Sequence, residues 1–149
     1  MILDVACGAR PFGDVNVEIG PRGRASDGYE FTKANVYASV YNLPFKDNSF
    51  EVVHFLGLLH HLEEPERGWD EMVRVAKDVI IGEEPSFTNP RAHMDPYHVF
   101  HGFKPRYLRE ICSRGVEHMQ MKFCFIDPVR HPLMQFWTIL AFKRYREGA

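Results

Sequence analysis

Cysteine is scarce in this chain: Cys7, Cys112 and Cys124 are the three in 149 residues. An odd, sparse set without C-x-x-C spacing builds neither a disulfide framework nor a zinc site. The expected setting is therefore reduced, intracellular and cytoplasmic. Excess charge of either sign is also missing, because 18 basic against 20 acidic residues leave a formal net charge of -2. No global field draws the protein to nucleic acid or an anionic membrane, so both are disfavoured as partners. Long apolar runs are absent as well. The longest, near Leu133 to Phe142, is interrupted by Gln135 and Thr138 and falls far short of a membrane span. Met1 to Asp4 opens in an apolar strand without a basic leader, internal repeats are lacking, and no G-x-G-x-x-G loop occurs.

What is present is a 45% hydrophobic chain of a length that suits one domain, 1–149, with a substantial core. Ile2 to Ala6 and Val15 to Ile19 read as short strands with room for only a turn between them. A third is expected around Val36 to Val40, after a polar segment with space for a helical turn. Glu51 to Phe55 and Val79 to Glu83 are nearly continuous apolar runs, the pattern of strands covered on both faces. Pro65 to Val75 places Trp69, Met72, Val73 and Ala76 at helical spacing. Lys104 to Arg114 does the same with Tyr107, Leu108 and Ile111 before Gly115. Val116 to Phe125 and Phe136 to Phe142 close the chain as two strands able to pair. The expected fold is α/β: a Rossmann-like, mostly parallel seven-stranded sheet with an antiparallel terminal strand and few helices.

The most specific stretch is Asn42-Leu-Pro-Phe-Lys-Asp-Asn-Ser-Phe-Glu-Val-Val-His54, followed by Phe55-Leu-Gly-Leu-Leu-His-His-Leu62. It reads as a Pro-marked loop, a polar turn, a buried strand and a loop with paired histidines at the strand's carboxyl end, where open α/β sheets bind ligands. Asp4-Val-Ala-Cys-Gly-Ala-Arg10 sits at the end of the first strand and Glu18 at the end of the second. In this order these segments resemble a class I S-adenosylmethionine (SAM) dependent methyltransferase of the small type-11 family, trimmed at its first helix. Three positions depart from the family pattern: Ala6 and Arg10 stand where it has glycine, and Ser39 where it has an acid.

The resemblance implies a cofactor site of Asp4, Ala6, Gly8, Arg10, Glu18, Ser39, Val40 and Leu43. The glycine loop would let the backbone approach the methionine part, and Asp4 would face its ammonium group. Arg10, with Arg22 or Arg24, would pair with its carboxylate. Glu18 would bond the ribose hydroxyls, while Ser39, Val40 and Leu43 would form the adenine edge. Read without the resemblance, Glu18 is an ordinary surface acid and the arginines are solvated.

On the acceptor side the catalytic candidates are His60, His98 and His101. His61 is read as structural, His54 is a further residue expected near the acceptor, and His93, Asp95 and Tyr97 are further candidates for substrate contact or proton removal. Histidine suits proton removal because its ordinary pKa lies near neutrality. Structural hydrogen bonding and a metal site built from His93, Asp95, His98 and His101 are the competing readings. Their spacing matches no strong metal signature, so no metal is expected.

The implied activity is methyl transfer from SAM to a small or medium organic acceptor, leaving S-adenosylhomocysteine. The alternative from another class is a degenerate binding or assembly subunit that has lost the cofactor. A nicotinamide-dependent oxidoreductase is a third reading, weakened by the missing glycine motif. Loss of the first helix would also strip cover from one sheet face, to be replaced by a loop such as 22–32 or by a second copy of the chain in a homodimer.

Overall fold

The computed structural model describes residues 1–8, 11–20, 22–25, 28–31, 33–89, 99–125 and 135–144; of 22–25, 28–31 and 125 the backbone alone is described. Nine strands and two α-helices are found among them. The strands are β1 (Ile2–Val5), β2 (Val15–Glu18), β3 (Arg22–Ala25), β4 (Gly28–Phe31), β5 (Val36–Tyr37), β6 (Phe50–Leu56), β7 (Ala76–Pro85), β8 (His118–Phe125) and β9 (Gln135–Phe142). The helices are α1 (Pro65–Val75) and α2 (Pro105–Cys112), and a 3-10 turn spans Leu59–His61.

Seven strands form one sheet in the order β5-β2-β1-β6-β7-β9-β8. Pairing is parallel from β5 through β7. β9 runs antiparallel to both of its neighbours. The expected mostly parallel sheet with one reversed member is therefore present.

Among the described residues no helix joins β1 to β2, and polar contacts do the closing. The amide of Asp14 donates to the Ile2 carbonyl at 2.9 Å. The amide of Phe12 donates to Asp4 Oδ2 at 2.9 Å. Gly13 lies so close to β1 and β2 that an added Cβ would stand 2.7 Å from the Asp4 nitrogen and 2.8 Å from the Val15 oxygen.

Both helices lie on one face of the sheet. Leu3, Val5, Val53, Phe55, Ile80, Ile139 and Ala141 point there by strand alternation and are buried. α1 adds Trp69, Met72 and Val73, and α2 adds Leu108, Ile111 and Cys112. The rings of Phe55 and Trp69 meet edge-on at 6.3 Å. Gly82 makes room for Phe55, whose ring would be 2.2 Å from a Cβ at that position.

The structure departs from the sequence expectation in three places. The polar segment after β2 forms the β3–β4 hairpin rather than a helical turn. Its Tyr29 and Phe31 alternate with small and charged residues, a period of two that suits a strand. The strand expected at 36–40 ends at Tyr37, because Ser39 turns the chain: its Oγ accepts from the Tyr41 amide and its carbonyl from the Asn42 amide. The strand expected at 79–83 runs over Ala76–Pro85 and starts where α1 ends, with no loop between.

Candidate functional site

β1 is flanked by β2 and β5 on one side and by β6 and β7 on the other, so the chain reverses its direction of travel across the sheet there. Open α/β sheets bind ligands at such a switch point, outside the carboxyl ends of the strands. The residues after β1, β2, β5 and β6 form that end of this molecule.

Past β1 the backbone is left-handed at Ala6 (φ 60°) and at Gly8 (φ 55°). An L-residue with a Cβ resists that conformation by about 1–2 kcal/mol, and Ala6 holds it nonetheless. An Ala6→Gly substitution is expected to raise stability by about 0.5–1 kcal/mol, the relieved strain less the extra unfolded-state entropy of glycine. Chemical denaturation would check it.

A Cβ on Gly8 would meet nothing within 4 Å. Among the described residues, the space beside Gly8 is open. The Gly8 amide donates to Glu18 Oε2 at 3.1 Å, joining the ends of β1 and β2. The other oxygen of Glu18 accepts from the Ile19 amide at 3.1 Å. The Lys33 amide donates to the Gly8 carbonyl at 2.9 Å, bringing the chain back across the loop after the hairpin. Burial, with Glu18 and Asp4 nearby, pushes the Cys7 thiol up to about 11, which keeps it protonated near neutrality.

Asp4 lies one step below this loop and is 3% exposed. Its Oδ2 holds Phe12, and its Oδ1 lies 2.8 Å from His54 Nδ1. Ser39 forms the turn after β5, with Val40 and Leu43 buried beyond it. Arg10 lies outside the described residues, and only the backbone of Arg22 and Arg24 is described.

The Leu43-Pro-Phe45 segment is tied to α1 by a pair of residues that the sequence reading passed over. The Leu43 amide donates to Glu71 Oε2 at 2.9 Å, and Arg74 donates to the carbonyls of Leu43 at 3.0 Å and Phe45 at 2.8 Å. Arg74 also donates to Glu71 Oε1 at 2.7 Å and to Asp47 at 2.8 Å. The Arg74 guanidinium, helped by the Leu43 amide, lowers the Glu71 carboxyl below its usual range.

After β6 the chain turns sharply at Gly57 (φ 59°) into the 3-10 turn. Glu84, with 0% exposure, organises it. Its Oε1 accepts from the Leu58 amide at 2.8 Å and the Leu59 amide at 2.6 Å. Its Oε2 accepts from the His60 amide at 3.3 Å and lies 2.8 Å from His60 Nδ1. His60 is thus a buried side chain, 5% exposed, with one ring nitrogen committed to Glu84. Glu84 was legible from strand alternation, because it falls on the same face as the buried Ile80 and Gly82.

The Phe100 amide donates to the His60 carbonyl at 3.0 Å, which brings the segment with the exposed His101 beside this turn. His61 is exposed, its ring 4.1 Å from that of His60. His93, Asp95, Tyr97 and His98 lie outside the described residues. No group of three His, Cys, Asp or Glu residues placed to hold a metal occurs among the described ones. No described helix is long and apolar enough to cross a membrane.

Solved structures share this fold over nearly the whole chain. A SAM-dependent methyltransferase from Thermotoga maritima matches with a TM-score of 0.69 and 18% identity, over 96% of this chain and 82% of that one. One from Archaeoglobus fulgidus matches at 0.66 and 18%, over 95% and 85%. The structure of a Haloferax volcanii complex between the Trm112 methyltransferase activator and a methyltransferase matches at 0.69 and 12%, over 99% and 83%. No curated protein sequence matches. At these identities the likeness is one of fold, and the fold is that of the SAM-dependent methyltransferases. Residues 14–79, which hold β2 through the first part of β7, match the family model described as a methyltransferase domain, type 11. Residues 14–79 thus resemble a type-11 methyltransferase domain, within a sheet that has the SAM-dependent methyltransferase fold.

Proposed function

We propose that the protein transfers the methyl group of SAM to a small or medium organic acceptor, leaving S-adenosylhomocysteine. The observation that carries this reading is the bond from the Gly8 amide to Glu18 at the shared end of β1 and β2. These residues fit the cofactor: a glycine whose Cβ position meets no described atom, a carboxylate beside it, and an apolar edge at Val40 and Leu43. When bound, the cofactor's sulfonium supplies an activated methyl group.

Glu18 would accept from the ribose hydroxyls, and Ala6 and Gly8 would present backbone to the methionine part. Arg10 would pair with its carboxylate. Asp4 would support the ammonium side from beneath while holding Phe12 and His54 in place. Ser39, Val40 and Leu43 would border the adenine. Alignment and exclusion of water supply much of the acceleration in such a transfer. His60, His98 and His101 would serve the acceptor side: His101 and His98 would take up the acceptor's proton, and His60, held by Glu84, would shape the pocket wall. The 149 residues would act as one domain, in a reducing cytoplasm suited to three free cysteines, and as a homodimer.

Isothermal titration with SAM and S-adenosylhomocysteine tests the reading. Micromolar binding supports it; a folded sample that binds neither would make the protein a non-catalytic binding or assembly subunit. Glu18→Ala is expected to weaken SAM binding by about 10- to 100-fold, the worth of one or two hydrogen bonds to a charged group. An unchanged dissociation constant in the folded variant would remove Glu18 from the site. His101→Ala is expected to lower kcat by about 100-fold, the scale of a general base, with SAM affinity unchanged. Equal loss of both would remove His101 from the acceptor side.

A further inference from the structure

The sheet face opposite the helices carries its own ordered pattern. Register aligns His54, Ile81, Leu140 and Gln120 in one row across β6, β7, β9 and β8. Leu56, Glu83, Thr138 and Lys122 form the next row toward the carboxyl end of β6, and Val52, Val79, Phe142 and His118 the row on the other side. Leu56 is 53% and Ile81 41% exposed, and a groove of about 260 Å³ runs along the first two rows. A two-layer domain buries such a face against another layer, and neither described helix lies on it.

We infer that this face is the contact surface of the homodimer, each copy covering the other sheet to sheet about a twofold axis that runs parallel to the strands between β7 and β9. The inference rests on the homodimer reading above and adds its surface. Its support is that the three rows complement themselves under this axis. The operation puts β7 over β9 of the partner subunit and β6 over its β8. Ile81 then faces the partner's Leu140, and Val79 the partner's Phe142, each contact occurring twice as an isologous interface requires. His54 faces the partner's Gln120, and Glu83 faces the partner's Thr138, one strand from the partner's Lys122. Apolar side chains meet at the centre; at the margins the polar His54 pair is flanked by Val52 over the partner's His118 and Leu56 over the partner's Lys122.

With strands about 4.8 Å apart and a rise of about 3.3 Å per residue, four strands of five residues each make a footprint of about 300 Å². Side-chain relief raises the surface buried to about 500 Å² per protomer, about 1,000 Å² in all, which is the low end for a specific interface. Dissociation in the micromolar range is expected. The ends of β1 and β2 lie outside the overlap, so the cofactor site stays open in the dimer.

Sedimentation velocity over a concentration series from about 1 to 100 µM, a range that brackets micromolar dissociation, tests it. The wild-type chain is expected to move from the mass of one 17.3 kDa chain toward twice that mass. Ile81→Lys and Gln120→Lys change exposed positions on the face, and each is expected to raise the dimer dissociation constant at least tenfold, with circular dichroism and SAM binding unchanged. Wild-type protein that stays monomeric throughout overturns both the homodimer and this surface, leaving the face to a different occupant. A dimer unaffected by the variants keeps the homodimer and overturns the surface. Should Ile81→Lys fail to fold, the exposed Gln120→Lys decides alone.

Discussion

Replacing Glu84 with alanine is expected to destabilise the protein by about 4 kcal/mol, a loss that breaking a buried, multiply bonded carboxyl commonly brings. The side chain is inaccessible and serves three consecutive backbone amides, those of Leu58, Leu59 and His60, as well as the His60 ring. Alanine leaves all four groups without that partner in a dry environment. For a domain of this size the melting temperature should fall by about 12 °C. Glu84→Gln, which keeps an acceptor oxygen, should cost about half as much. A melt within 2 °C of wild type for the alanine variant, well inside the scale set by unfolding entropy, would mean that the turn after β6 holds itself. The consequence reaches the site, because the same carboxyl sets the orientation of His60 and hence of the segment that docks on its carbonyl through Phe100.

Arg74→Ala is expected to cost about 3 kcal/mol, because it removes charge-assisted bonds to two carbonyls and two carboxylates at a side chain still partly open to water. It acts on two links at once. Stability falls with the lost bonds, and the Leu43-Pro-Phe45 segment loses its tether to α1, so SAM affinity should drop about tenfold through loosening of the proposed adenine edge. Arg74→Lys should recover little, since an ammonium cannot span the two carbonyls and Glu71 together. Denaturation and titration on one sample separate the two effects. An alanine variant with reduced stability but undiminished affinity would restrict Arg74 to a structural role.

The same pair gives acid stability a sign. Glu71 is held below its ordinary value of 4.5 mainly by the Arg74 hydrogen bonds, then by the Leu43 amide. A carboxyl whose folded pKa is depressed adds stability that is complete above its unfolded value and is lost as pH falls through the folded one. The contribution is therefore present at neutral pH and declines on acidification below about 4.5, the ordinary range of such a carboxyl. In Arg74→Ala that part of the acid sensitivity should shrink.

Much of the architecture was legible because it rests on local periodicity. α1 begins at Pro65 and ends at Val75, the bounds that its apolar spacing marks. α2 ends at Cys112, two residues short of the expected bound, and Gly115 then turns the chain in a left-handed conformation (φ 68°) that glycine adopts without strain. The short link between β1 and β2 was visible as a distance too small for a helix. Strand bounds were less legible where side chains compete with the backbone, as at Ser39, or where a helix runs straight into a strand, as at Ala76.

The amino-acid order by itself determined both helices and the strands of the main sheet, the acid and glycine at the first two strand ends, and the segment from β2 into β7 that matches the methyltransferase domain, because each is written in residues near one another in the chain. Only the tertiary structure decided that Glu18 meets Gly8, that Glu84 gathers the turn around His60, that Arg74 anchors the segment at Leu43, and that both described helices share one face of the sheet. Those relations join residues 10 to 31 positions apart, or helices of which one ends at Val75 and the next begins at Pro105. Their physical cause is the demand that buried polar groups find partners and apolar faces find cover, a demand that arises only once the chain has closed on itself.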